Sequence, residues 1–161
     1  MKYEDAIKIA NKVKEELAPH CERIEIGGSI RRKKAIVKDI EIIVIPKPYE
    51  VGLFNSGIAT IVEQWQKVKG TLPCKYTQRI LPEGIKLDLF FANKDNWGLI
   101  YAIRTGSANF SHKTLALSWV KQGYNSKDGY LYKDGNKYCF YEEKELFDFL
   151  GIPFIEPEFR K

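Results

Sequence analysis

Three carboxylates stand where a sheet core makes charge costly. Asp39 and Glu41 head the β-branched run DIEIIVI, and Asp88 lies in KLDLFF between Leu87 and Leu89. Successive strand side chains point to opposite faces, so Asp39 and Glu41 share one face, about 6.6 Å apart along the chain. Like charges against a core repel one another, and desolvation opposes their ionisation. Two ordinary arrangements would relieve this: strand ends open to water, or ion pairs with Lys38 and Lys86. The third is a divalent-cation site. Hard oxygen ligands suit Mg²⁺, which keeps several waters and bridges to substrate phosphates.

Ten residues before Asp39, the triplet Gly27-Gly28-Ser29 is followed by Arg31 and Arg32. Such a turn exposes backbone N–H groups and a hydroxyl able to hold phosphate oxygens. The two arginines add planar, bidentate donors matched to a triphosphate tail. Alone, the triplet is only a turn. Beside metal-type acids, it completes the parts list for phosphoryl transfer, in which two metals about 4 Å apart hold attacking and leaving oxygens in line.

The elements that must position these groups follow from pattern. Ala6, Ile9, Val13 and Leu17 predict a helix over 3–17, stopped by Pro19. RIEIGG predicts a short strand and DIEIIVI a second one, ended by Pro46 and Pro48. Residues 57–69 read as helical, with Ile58, Ile61, Val62 and Trp65 on one stripe. CKYTQRIL and IKLDLFFA predict a strand pair about Pro82-Glu83-Gly84. Helices follow at 96–104 and 109–122, the second closed by Gly123. A hairpin turns at Asp134-Gly135, and EEKELFDFLG forms a last amphipathic helix. Trp65 and Trp119 are expected in cores rather than as base-stacking platforms, and Tyr130, Tyr132, Tyr138 and Phe140 as packing partners along the hairpin.

At 161 residues, 44% hydrophobic and 29% charged, the chain can bury a core without disulfide or structural metal. Three scattered cysteines without a CxxC pair argue for reduced thiols and against zinc. The net charge of +5 suits a polyanionic partner. No apolar run reaches transmembrane length, and MKYEDAIKIA has no signal-peptide core, which predicts a cytoplasmic protein, or one of the host cytoplasm if viral.

Gly28-Ser29, Arg31-Arg32, Asp39-x-Glu41 and Asp88 together resemble the nucleotidyltransferase superfamily, and the segment RTGSANF resembles that of the family X DNA polymerases, the family of DNA polymerase beta. The ending EKELFDFLGIPFIEPEFRK is similar to that family's C-terminus. The resemblance implies an α+β fold: a nucleotidyltransferase palm over 1–93, a mixed β-sheet flanked by helices, then a small helix–hairpin C-terminal lobe over 94–161 that binds nucleotide. It also implies the reduced layout of small viral members, without lyase or helix-hairpin-helix domains before the palm.

By the same resemblance, Asp39, Glu41 and Asp88 are the catalytic residues and the ligands of two Mg²⁺ ions, for which Mn²⁺ would substitute. Gly28, Ser29, Arg31, Arg32, Arg104, Thr105, Gly106, Ser107 and Ser111 are the nucleotide-binding candidates, with a cis Gly106–Ser107 bond. Lys75, Arg79, Lys86, His112, Lys113 and Lys121 are the DNA-binding candidates; His112 could equally cap its helix. Glu41 stands where relatives carry Asp, and Ile103-Arg104 where they commonly carry an aromatic pair. The expected function is DNA-directed DNA synthesis from dNTPs on primer-template or gapped DNA, by a monomer and in gap-filling repair. The rivals are a nucleotidyltransferase acting on RNA, protein or a small molecule, and a non-catalytic DNA-binding module.

Overall fold

A computed structural model describes residues 1–48 and 57–161. The chain divides into two compact units, Met1–Ala92 and Asn93–Lys161. The first holds α1 (Tyr3–Leu17), β1 (Cys21–Ile26), the single turn α2 (Gly28–Arg31), β2 (Asp39–Pro46), α3 (Gly57–Glu63), β3 (Gln66–Lys69), β4 (Tyr76–Ile80) and β5 (Lys86–Phe91). Its five strands lie in the order β1-β2-β5-β4-β3. Among the described residues of this unit, only β2 and β5 pair in parallel; the other three ladders are antiparallel. This is the mixed sheet flanked by helices that the family resemblance implies.

Alternation gives this sheet two chemically distinct faces. Ile40, Ile42, Val44, Leu87 and Leu89 point to one side and are fully buried. They pack with Ala6, Ala10, Val13 and Leu17 of α1 and Ile58 and Val62 of α3. Burial of each such aliphatic side chain contributes roughly 1.5–3 kcal/mol, so this face fixes which way every strand is turned. Residues at the odd positions of β2 must then face the other way, and Asp39 and Glu41 are among them.

One helix is shorter than its sequence implies. The stripe of α3 ends at Glu63, and residues 66–69 form an edge strand instead of a helical continuation. Pairing with β4 gives these backbone groups sheet partners, and every residue of β3 is exposed, so no helical face is lost. Trp65 is nonetheless buried, as expected.

The second unit holds α4 (Trp97–Thr105), a π-helical stretch (Phe110–Ala116) running into α5 (Leu117–Lys121), and the sheet β6 (Asn125–Lys127), β7 (Tyr130–Lys133), β8 (Asn136–Tyr138), followed by α6 (Glu143–Leu150). The predicted 109–122 helix is therefore real but over-wide in its first half. Phe110 and Leu115, five residues apart, are both buried, a spacing that π-helical winding brings to one side. The hairpin also has a third strand that pattern reading missed. Asp128-Gly129 and Asp134-Gly135 both take positive φ, the geometry of tight hairpin turns. Glu142 and Glu145 form a capping box at the start of α6, and Gly151, at φ 71°, ends it.

Near the end of the chain, Arg160 is fully buried. Its guanidinium pairs with buried Glu143, donates through Nε to the Ile155 carbonyl at 2.8 Å, and lies over the rings of Phe147 and Phe154. Removing one partner of a buried pair strands the other charge, which costs about 3–5 kcal/mol. Arg160→Ala is accordingly expected to destabilise the protein by that amount in urea unfolding, whereas the double replacement Arg160→Met/Glu143→Leu costs much less.

Candidate active site

The parallel ladder brings the three acids to one place. Asp39 is opposite Lys86 and Glu41 is opposite Asp88, so all four side chains lie on the face away from the helices. On the far side of β5, Gln78 is opposite Asp88 and Tyr76 is opposite Phe90. Tyr76 stacks on Phe90 with centroids 4.9 Å apart. From there its hydroxyl donates to Asp88 Oδ1 at 2.5 Å, and Gln78 Nε2 donates to the same oxygen at 2.8 Å. Burial pushes the Asp39 carboxyl above its ordinary range, the charge of Asp88 adds to that push, and Lys86 and Lys38 oppose it.

The glycine turn is fastened to the same strand. Gly27 N–H donates to the Glu41 carbonyl at 2.8 Å, and Arg31 and Arg32 N–H close the single turn of α2 onto Gly27 and Gly28. Gly28 has φ 56°, and an added Cβ would lie 1.5 Å from Glu41 Oε2. The Glu41 carboxylate thus rests directly on the bare Cα. Ser29 Oγ is buried without a hydrogen-bond partner among the described residues. Burial draws the Arg32 guanidinium below its ordinary value, and Glu41 and then Asp39 counter that, which puts Arg32 within the field of both acids. Arg31 is half-buried at the end of the turn.

The donor set, three carboxylates on one face of two adjoining strands, fits a hard divalent cation by its chemistry. Its present arrangement is not a preformed chelate: no group of three or more His, Cys, Asp or Glu residues among those described is placed to hold a metal ion. Asp88 Oδ1 is taken up by Tyr76 and Gln78, and Glu41 leans on Gly28.

In the second unit the Thr-Gly-Ser segment closes α4. Thr105 is buried and Arg104 exposed. Ser107 N–H donates to the Arg160 carbonyl at 3.1 Å, Ser107 Oγ accepts from Phe110 N–H at 3.0 Å, and Ser111 Oγ donates to the Ile103 carbonyl at 2.7 Å. A Cβ on Gly106 would strike Phe110 and Ser111. The expected cis bond at Gly106–Ser107 is absent, the cis bond among the described residues being Leu72–Pro73. Gly106, at φ −64° and ψ 157°, makes the bend with an ordinary extended conformation and a trans link.

Of the DNA-binding candidates, Lys75, Lys86, His112, Lys113 and Lys121 are exposed, and Lys86 lies beside Asp39. Arg79 is not on that surface. It shares the core face with Leu87, is 4% exposed, and donates to Thr77 Oγ1 and to the carbonyls of Trp65 and Gly70. Its parity in the strand, odd like that of Thr77, was the available signal. Tyr76, Gln78, Glu143 and Arg160 went unrecognised for the converse reason, since their partners lie across a ladder or far along the chain.

Two outcomes test this geometry. At position 28 a side chain must adopt the left-handed conformation, costing about 1–2 kcal/mol, and displace the Glu41 carboxylate; Gly28→Ala should lose at least that much stability in chemical denaturation. An acid with a raised folded pKa holds its proton more tightly folded than unfolded, so it favours folding below the ordinary value of 3.8 and forfeits that contribution as pH rises through the raised value. Metal-free Asp39→Asn is therefore expected to melt above the parent protein at neutral pH, and the gain should vanish below that ordinary value in thermal scans across pH.

A search of the curated proteins found no match. The family described as DNA polymerase beta thumb matches residues 100–161, which contain the Thr-Gly-Ser segment, the three-stranded sheet and α6. That match, set beside the mixed sheet and its flanking helices, supports a family X DNA polymerase-like protein.

Proposed function

We propose that the protein is a DNA polymerase that transfers a deoxynucleoside monophosphate from a dNTP to a DNA 3′-hydroxyl, as a monomer filling gaps during repair. The observation that carries this reading is the placement of Asp39, Glu41 and Asp88 on one face of β2 and β5, with the Gly28-Ser29 turn bonded to β2 beside them. The match of residues 100–161 to the polymerase beta thumb favours DNA over RNA, protein or small-molecule acceptors.

In the reaction the 3′-hydroxyl oxygen bonds to the α-phosphorus, the bond from that phosphorus to the bridging oxygen breaks, and pyrophosphate leaves. Asp39, Glu41 and Asp88 would hold two Mg²⁺ ions, with Mn²⁺ as a substitute; when bound, such ions stabilise the developing charge on the attacking and leaving oxygens. Ser29 Oγ, buried and lacking a partner among the described residues, would donate to a phosphate oxygen. Arg32, with Arg31, supplies charge to the β- and γ-phosphates. Asp88 is the candidate acceptor for the hydroxyl proton. Arg104, Thr105, Gly106, Ser107 and Ser111 are the candidates for the sugar end of the nucleotide. Exposed Lys75, Lys86, Lys113, Lys121 and His112 would engage DNA phosphates, so binding should weaken as salt rises.

One observation favours a second reading. Because the acids are not gathered into a ready chelate among the described residues, the protein could serve as a DNA-binding module without catalysis. Primer extension separates the two. With Mg²⁺ and dNTPs on gapped, nicked, blunt and single-stranded DNA, incorporation is expected on gapped DNA. Asp39→Ala and Asp88→Ala are expected to abolish it while keeping most DNA affinity. Incorporation unchanged in both variants overturns the assignment of the acids, and DNA binding without incorporation in the parent protein establishes the second reading.

A further inference from the structure

We propose that Tyr76 and Gln78 are positioning residues for Asp88, fixing its carboxylate so that Oδ2 alone faces the ligand side of the site. This rests on the reading of Asp88 as a site acid given above. A terminal carboxylate torsion on a strand is broad and roughly two-fold, so an Asp side chain does not by itself choose which oxygen it presents. Here both donors converge on Oδ1, at 2.5 and 2.8 Å, and Oδ2 receives no hydrogen bond among the described residues.

The placement is built by the β4–β5 ladder. Gln78 is opposite Asp88 on the same face, and Tyr76 lies two residues along the same strand. From that diagonal position a phenol reaches the carboxylate only with its ring set down, and the stack on Phe90, 4.9 Å between centroids at 20°, provides this. Asp88 is 8% exposed, so water cannot readily take over from either donor. Outer partners that hold a ligating carboxylate typically change metal affinity or activity 10- to 100-fold when removed.

The test uses the full chain, Mn²⁺ alone as the probe, and the variants Tyr76→Phe, Gln78→Leu and their combination. Tyr76→Phe keeps the ring on Phe90 and removes only the hydroxyl; thermal melts confirm folding, and each single variant provides an independent route should the other misfold. Mn²⁺ affinity, followed by electron paramagnetic resonance, is expected to fall about ten-fold in each single variant and further in the pair. Turnover should fall in parallel, with the KM for dNTP little changed, since β2 and β5 lie between β4 and β1, the strand that leads into the triphosphate turn. Folded variants that keep parental Mn²⁺ affinity and turnover, while Asp88→Asn loses both, overturn the positioning role alone. If Asp88→Asn itself leaves Mn²⁺ binding and turnover intact, the reading of Asp88 has failed instead.

Discussion

The parallel pairing of β2 with β5 is the constraint on which the site depends. It sets Glu41 opposite Asp88 and Asp39 opposite Lys86, and a slip of one residue would send the acids to opposite faces. What prevents the slip is apolar. Ile40 and Ile42 lie level with Leu87 and Leu89 beneath α1 and α3, and a shifted register would expose that whole set. The charged arrangement is thus held in place by the burial of its uncharged neighbours rather than by attraction among the acids. Parallel strands need a long crossover, and the segment between β2 and β5 supplies it while also carrying β3 and β4, which close the acid face from its other side.

Much of this arrangement was legible because two periodicities are strong. Spacing in 3–17 gave α1, and alternation in DIEIIVI put Asp39 and Glu41 together before any partner strand was known. The placement of Asp88 beside them was recoverable only through family resemblance, since period-two reading assigns parity within a strand but not the register between strands. Arg79 shows the same limit: it reads as a surface cation, yet its parity matches buried Thr77, and only the ladder to β5 says which parity is inward.

Elsewhere, tertiary demands overrode local pattern. Gln66–Lys69 joined a sheet edge that needed backbone partners, and the helix after Ser107 widened so that Phe110 and Leu115 could both reach the core. Glu143 and Arg160, far apart in sequence, are an ion pair that composition cannot announce. Across the Thr-Gly-Ser segment, backbone bonding to Arg160 and hydroxyl bonding to Ile103 do the shaping, and the bend is reached with a trans link.

The Glu41 carboxylate lying on the bare Cα of Gly28 has an implication for how this sequence can vary. Two positions thirteen residues apart share one small volume, so the length of one side chain governs what the other can tolerate. Shortening Glu41 by a methylene withdraws Oε2 from the glycine and eases the steric bar there, while its Cβ, 3.0 Å from an added Cβ, and the backbone's left-handed twist still act against larger residues. An aspartate at position 41 is thereby expected to ease the constraint at position 28, so that change at the two sites runs in step.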